Sequence, residues 1–202
     1  MGAYESESGS HGALRKLYGP PLTLHGIVYL SLFAALGLAV KQIAYPLAAI
    51  ATAPFIPVSP LVAGAYMMWL SAGRAITGYR WGGTFIGLVQ AFVSLLLVFG
   101  KHGAFNFPLY LSTGLAVDLV FLLYTPLGRT LLVPVIATSV SSVIGTVLVV
   151  WVELEMPVQI VAASALISMC GGAIGGFAAH QMIRLHDRVI GKERGGTNTA
   201  PT

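Results

Sequence analysis

The sequence predicts an all-α integral membrane protein, a six-transmembrane-helix bundle with both termini cytoplasmic. Three observations predict it. The chain of 202 residues is 56% hydrophobic and only 9% charged. Its apolar residues fall into six long runs, and its positive charges fall in alternate gaps between those runs. A soluble domain of this length needs a charged surface, and 11 Lys and Arg with 7 Asp and Glu are too few to cover one. Six helical crossings of about 20 residues each take about 120 residues. The remainder suffices for tails and short loops, with no room for a soluble catalytic domain.

The elements follow in order. Residues 1–21 are polar and Gly/Ser-rich, without the basic start, apolar core and cleavage site of a signal peptide, and read as a disordered cytoplasmic tail. The membrane domain spans residues 22–184. Span 1 runs from Leu24 to Val40. A second apolar stretch, Ile43 to Ile56, contains Pro46 and Pro54 and is followed by Pro57, so it reads as a broken helix or outer-leaflet loop. Backbone of that kind is tolerated at membrane depth only when buried in protein or lining a wet cavity, so a cavity near the outer face and a packed plug are both open. Span 2 runs from Leu61 to Ile76, span 3 from Gly82 to Phe99 and span 4 from Pro108 to Tyr124. Span 5 runs from Leu131 to Val152 and span 6 from Pro157 to Ile183, followed by a basic cytoplasmic tail over 185–202.

Orientation comes from the basic residues. Arg15, Lys16, Arg74, Arg80, Arg129, Arg184, Arg188, Lys192 and Arg194 fall on one side, and only Lys41 and Lys101 on the other. Lys and Arg accumulate on the cytoplasmic side, so this split places both termini inside. The net charge of +4 is spread over several segments and marks orientation and anionic-lipid contact rather than nucleic-acid binding.

Small residues predict how the helices pack. Ser31, Ala35 and Ala39 recur every fourth position on span 1, as do Gly83, Gly87 and Ala91 on span 3. Span 6 carries Gly171 and Gly175, with Gly172 and Gly176 beside them. Such ridges let backbones approach closely in lipid. Internal packing is the expectation for spans 3 and 6; for span 1 a docking face for a separate membrane subunit is the alternative.

Asp118 is the only acid deep within a span, ~15 Å down a helix from its outer end. A carboxylate there is costly unless paired, protonated or facing water. It reads either as a ligand or proton site or as an acid bonded to a neighbouring helix. The outer-half polar set is Lys41, Gln42, Tyr45, Tyr66, Asn106, Tyr110, Glu153 and Gln159, with Trp69 beside Tyr66 on span 2 as a stacking surface. Gln90 lies mid-span and needs a hydrogen-bond partner.

Enzyme signals are weak. His11, His25, His102, His180 and His186 form no HxxxH or HExxH pair on a span, and no metal site is expected. There is no Walker A sequence, GxSxG or CxxC, and the single Cys170 allows no intramolecular disulfide. The expectation is a transport subunit without a cofactor; active transport would draw its energy from another polypeptide.

The chain resembles the substrate-binding S components of the energy-coupling factor (ECF) transporters, prokaryotic plasma-membrane importers of vitamins. The resemblance extends from span 1 to span 6. It is carried by SLFAALGLAVK (Ser31–Lys41), PFIPVSPLVAGAYMMWL (Pro54–Leu70), GGTFIGLVQA (Gly82–Ala91) and GLAVDLVF (Gly114–Phe121), together with the span count and small size. It implies an outer-face ligand pocket closed by the loop after the first span. It implies a transmembrane T component docked on the small residues of the first helix, here Ala35 and Ala39 with Ser31, and two cytoplasmic ATPase subunits. It also implies toppling of the whole subunit to deliver cargo. With Asp118, Tyr66, Trp69 and Tyr110, a cationic aromatic cargo such as thiamine or its hydroxymethylpyrimidine precursor fits by charge and cation–π attraction. Competing classes are a stand-alone carrier with Asp118 as proton site, and a membrane enzyme or assembly protein.

Overall fold

A computed structural model describes residues 23–51, 58–96, 103–124 and 130–196, without the side chains of residues 45, 48–51, 58–59, 61, 153 and 190–196. These residues form helices and no strand. They comprise α1 (Leu24–Ala51), α2 (Val58–Thr77), α3 (Gly82–Leu96), α4 (Asn106–Leu123), α5 (Leu132–Val147) and α6 (Val158–Gly196). A 3₁₀ turn, Gly103–Phe105, leads into α4, and a π-helical turn, Leu148–Glu153, extends α5.

Four segments are long and apolar enough to cross a membrane: Leu24–Ala44, Gly103–Leu123, Leu132–Val152 and Val158–Val189. Between them stand α2 and the shorter apolar α3. Their position in the bundle explains their composition. Helix α2 packs against α1, α3, α5 and α6, and more lightly against α4. None of its side chains described between Pro60 and Thr77 is exposed. A helix enclosed by other helices need not present an apolar surface to lipid, so α2 accommodates Ser71 and Arg74. Its neighbours place large apolar groups outward instead, among them Leu32, Leu119, Leu166 and Phe177.

Two boundaries differ from the sequence expectation. Helix α1 does not stop at Val40 but continues through Lys41, Gln42 and Pro46 to Ala51. A proline removes its own N–H and the bond to the carbonyl four residues back, and the remaining ladder carries the helix past it, as membrane helices commonly allow. At the other end, α6 runs beyond residue 184 to Gly196. Met182, Arg184, Leu185, Arg188 and Lys192 are good helix formers, and cations near a helix C-terminus complement its dipole. The tail 1–21, the loop residues 52–57, Lys101 and Arg129 lie outside the described residues.

The glycine ridges of α3 and α6 are internal seams. A Cβ on Gly64 of α2 would overlap the Gly171 backbone, and one on Gly175 would overlap Gly64. The neighbouring glycines serve the opposite face: Gly172 abuts Thr138 and Ser139, and Gly176 abuts Pro134 and Val135, all on α5. Adjacent glycine pairs thus let α6 touch two helices, backbone to backbone. On α3, Gly83 meets Gly114 of α4 and Gly87 meets the Tyr110 carbonyl. Hydroxyls add links: Ser141 Oγ donates to the Thr113 carbonyl at 3.0 Å, and the Thr146 and Ser168 hydroxyls bond at 2.8 Å. The α1 ridge behaves differently. Ala35 and Ala39 are exposed and Ser31 is half-buried, so among the described residues this ridge is left largely uncovered.

Replacing Gly172 by Val should therefore force α5 and α6 apart and destabilise the purified protein by about 1–3 kcal/mol, whereas Ala35→Leu should change it by less than about 0.5 kcal/mol. Thermal melts of the two variants in the same detergent check this, and equal melting temperatures would contradict the assignment of seams.

Candidate functional site

Two polar clusters sit inside the bundle. The first surrounds Asp118, which is fully buried on α4. Helix α3 begins with four backbone N–H groups that have no partner within the helix. Asp118 supplies acceptors from the side. Its Oδ1 accepts from Gly83 N–H at 3.0 Å. Its Oδ2 accepts from Thr84 N–H at 2.6 Å and from Thr84 Oγ1 at 2.7 Å. Arg74, in the last turn of α2, brings its Nε to 3.0 Å from Oδ1, an ion pair whose N–H direction does not add a hydrogen bond. The guanidinium also lies over the Phe121 ring, 5.6 Å from its centre. Glycine at 83 and 114 is what lets the two backbones come close enough, since a Cβ at 83 would lie 3.1 Å from Oδ1 and 2.9 Å from the Gly114 carbonyl. Arg74 and Asp118 thus neutralise one another and bind α2, α3 and α4 at one end of the bundle.

The second cluster centres on Lys41. The inward face of α1 reads Leu30, Phe33, Ala34 and Gly37, and Lys41 continues it one turn further. Its Nζ donates to the Tyr110 hydroxyl at 2.8 Å and lies 4.7 Å from the Tyr110 ring centre and 5.4 Å from that of Tyr66. Tyr66 and Tyr110 are both buried. Below, Gly37 lies against Gln90, Trp69 and the Tyr66 carbonyl. Gln90 donates through Nε2 to the Ala34 carbonyl at 3.2 Å, while its Oε1 is buried without a partner. The Trp69 indole packs at 6.2 Å from Phe33, and its Nε1 is also buried and unpartnered. One turn from Tyr110 on the same helix, Asn106 is buried with its Oδ1 unpartnered.

The structure brings together Lys41, Tyr66 and Tyr110, with Trp69 and Asn106 on the adjoining turns. It separates Asp118 from them. Asp118 stands two turns along α4 from Tyr110, ~12 Å by helical rise, and its oxygens are taken by Gly83, Thr84 and Arg74. Gln42 and Gln159 are exposed and are not brought into the cluster by any described contact. The side chains of Tyr45 and Glu153 lie outside those described. Sequence reading placed Arg74 among the orienting charges and overlooked its pairing. The available signal was its place on the same apolar helix as Tyr66 and Trp69, where a cation needs an acidic partner. Among the described residues no group of three His, Cys, Asp or Glu side chains could hold a metal.

No family model, no curated protein and no solved structure matches this chain. The functional reading therefore stands on the two clusters themselves.

Asp118→Asn leaves Arg74 charged and unpaired in the interior and should cost about 3–5 kcal/mol of stability. Combining Arg74→Met with Asp118→Leu should cost less than the sum of the single changes. A double-mutant cycle read from denaturation midpoints measures the coupling; additive effects would mean the two side chains do not act as a pair.

Proposed function

We propose that the chain is the substrate-binding S component of an ECF-type importer, a subunit that captures a vitamin or vitamin precursor at the outer face for ATP-driven uptake. The supporting observation is the division of α1 into two faces with different tasks. Its inward face carries Lys41 into a cluster of buried aromatic and amide groups from α2, α3 and α4. Its outward face presents Ala35 and Ala39, a ridge of small residues left exposed among the described residues. In lipid such a ridge favours close approach by another helix. The reading assigns that approach to a T component, held in turn by two cytoplasmic ATPase subunits.

In this reading all six helices cross the plasma membrane of a prokaryotic cell with both termini inside. The Lys41 cluster then faces the exterior, and the Arg74–Asp118 pair lies toward the cytoplasm. The protein performs no catalysis of its own. Thiamine or hydroxymethylpyrimidine as cargo depended on Asp118 as a counter-charge. Because Asp118 is engaged by Arg74 and the start of α3, the choice of cargo passes to the Lys41 cluster.

Ala35→Trp and Ala39→Trp each place an indole on the ridge. Each should abolish co-purification with a T component and lower ATP-driven uptake at least about tenfold, which corresponds to about 1.4 kcal/mol, while retention of cargo by the isolated subunit is unchanged. Uptake at the unmodified rate, or transport in liposomes holding this chain alone, would refute the proposal.

A further inference from the structure

Among the described residues the half-buried Lys41 has no acid beside it. Arg74 and Lys41 both reach into the described bundle, and lipid does not solvate a charge. Arg74 has Asp118 at 3.0 Å. Among the described residues Lys41 has one phenol oxygen and two aromatic rings. An ammonium group has three N–H donors, and only one of them meets an oxygen there. Cation–π contacts soften the cost of the remaining charge without supplying an acceptor.

Tyr110 completes the arrangement. Its hydroxyl oxygen accepts from Lys41, so its own O–H proton is directed to a further acceptor. The ammonium and the phenol then form two adjacent donors, one cationic and one neutral. That is the complement of a group with two adjacent oxygens and one negative charge, bound by charge-assisted hydrogen bonds. The surrounding turns add polar atoms without partners, Asn106 Oδ1, Gln90 Oε1 and Trp69 Nε1, set among aromatic surface. Such a mixture suits a cargo body that carries both N–H donors and an apolar portion.

We propose that Lys41 and Tyr110, flanked by Tyr66, form a carboxylate-recognition site, so that the cargo is a small organic acid rather than a cation or a neutral ring. This rests on the reading of the chain as a cargo-binding subunit and goes beyond it by fixing the charge of what is bound. The carboxylate would accept from Lys41 Nζ with one oxygen and from the Tyr110 hydroxyl with the other. It would give Lys41 the anionic neighbour that Asp118 gives Arg74.

The test uses the full-length protein in lipid nanodiscs, incubated with an equimolar mixture of water-soluble vitamins and their precursors. The mixture contains carboxylic acids, neutral compounds and cations, including thiamine. Retained molecules are identified by mass spectrometry after washing. The expected result is retention of a carboxylic acid. Its affinity should fall roughly 10–100-fold in Lys41→Met, the range for losing a hydrogen bond to a charged group. Lys41→Arg should recover part of that loss, and the primary amide of the retained acid should bind the unmodified protein as weakly as the acid binds Lys41→Met. Tyr110→Phe, which keeps the ring and removes the donor, should weaken the acid without affecting the amide. Thermal melts establish that each variant is folded. Retention of a neutral or cationic molecule, or an acid that binds Lys41→Met unchanged, overturns the carboxylate assignment while leaving cargo binding intact. Retention of nothing by the unmodified protein overturns both.

Discussion

The bundle depends on one carboxylate that joins three helices. Asp118 terminates the unsatisfied amides at the start of α3, neutralises Arg74 of α2 and does both from α4. In a soluble protein water would serve the start of a helix. Inside a bundle surrounded by lipid every polar group needs a protein partner, and an unmet one costs several kcal/mol. The carboxylate also requires a neighbouring cation to be tolerated at all. These two demands meet only if α2, α3 and α4 adopt one register. Gly83 and Gly114 then follow as consequences, because any side chain between them would push the amides out of reach of the carboxylate.

The same logic of close backbones extends across α6. Its paired glycines place one face on α2 and the other on α5, so the longest helix of the chain is tied to the most enclosed one. Lipid offers no hydrophobic drive for helices to associate, and contact between smooth surfaces replaces it. On α1 the inward face combines Leu30 and Phe33 with the small Ala34 and Gly37, while Ala35 and Ala39 lie on the exposed side.

Much of the fold was legible because hydropathy and periodicity are local signals. The helices fall where the apolar runs lie, and the glycine spacing on α3 and α6 marked surfaces that do meet other helices. Pro46 misled because it was counted with Pro54 and Pro57 as a helix breaker, whereas the helical ladder continues on both sides of it. The site was legible in part. Lys41, Tyr66 and Tyr110 were grouped by estimated depth, and depth is what a helix preserves. Asp118 was joined to them by the charge a cationic cargo would need, and its pairing with Arg74 was missed. Whether an acid meets a ligand or a neighbouring helix depends on the rotation of α4 about its axis and on the position of Arg74, 44 positions earlier in the sequence. No short-range pattern encodes that meeting.

The two interior cations place a constraint on one another. If burial alone called for a carboxylate partner from the chain, Lys41 would be expected to have one as Arg74 does. Among the described residues it does not, although it stands on the inward face of α1 with aromatic rings from two other helices beside it. An arrangement of that kind gives the half-buried ammonium fewer protein acceptors than it has donors, and an anion supplies what is missing. Arg74 and Asp118 are complementary to each other, whereas Lys41 has no acid among the described residues and is complementary to an anion. The same electrostatic cost that makes the first pair a structural tie makes the second site selective, since a cation brought beside Lys41 would add repulsion to a charge already short of acceptors.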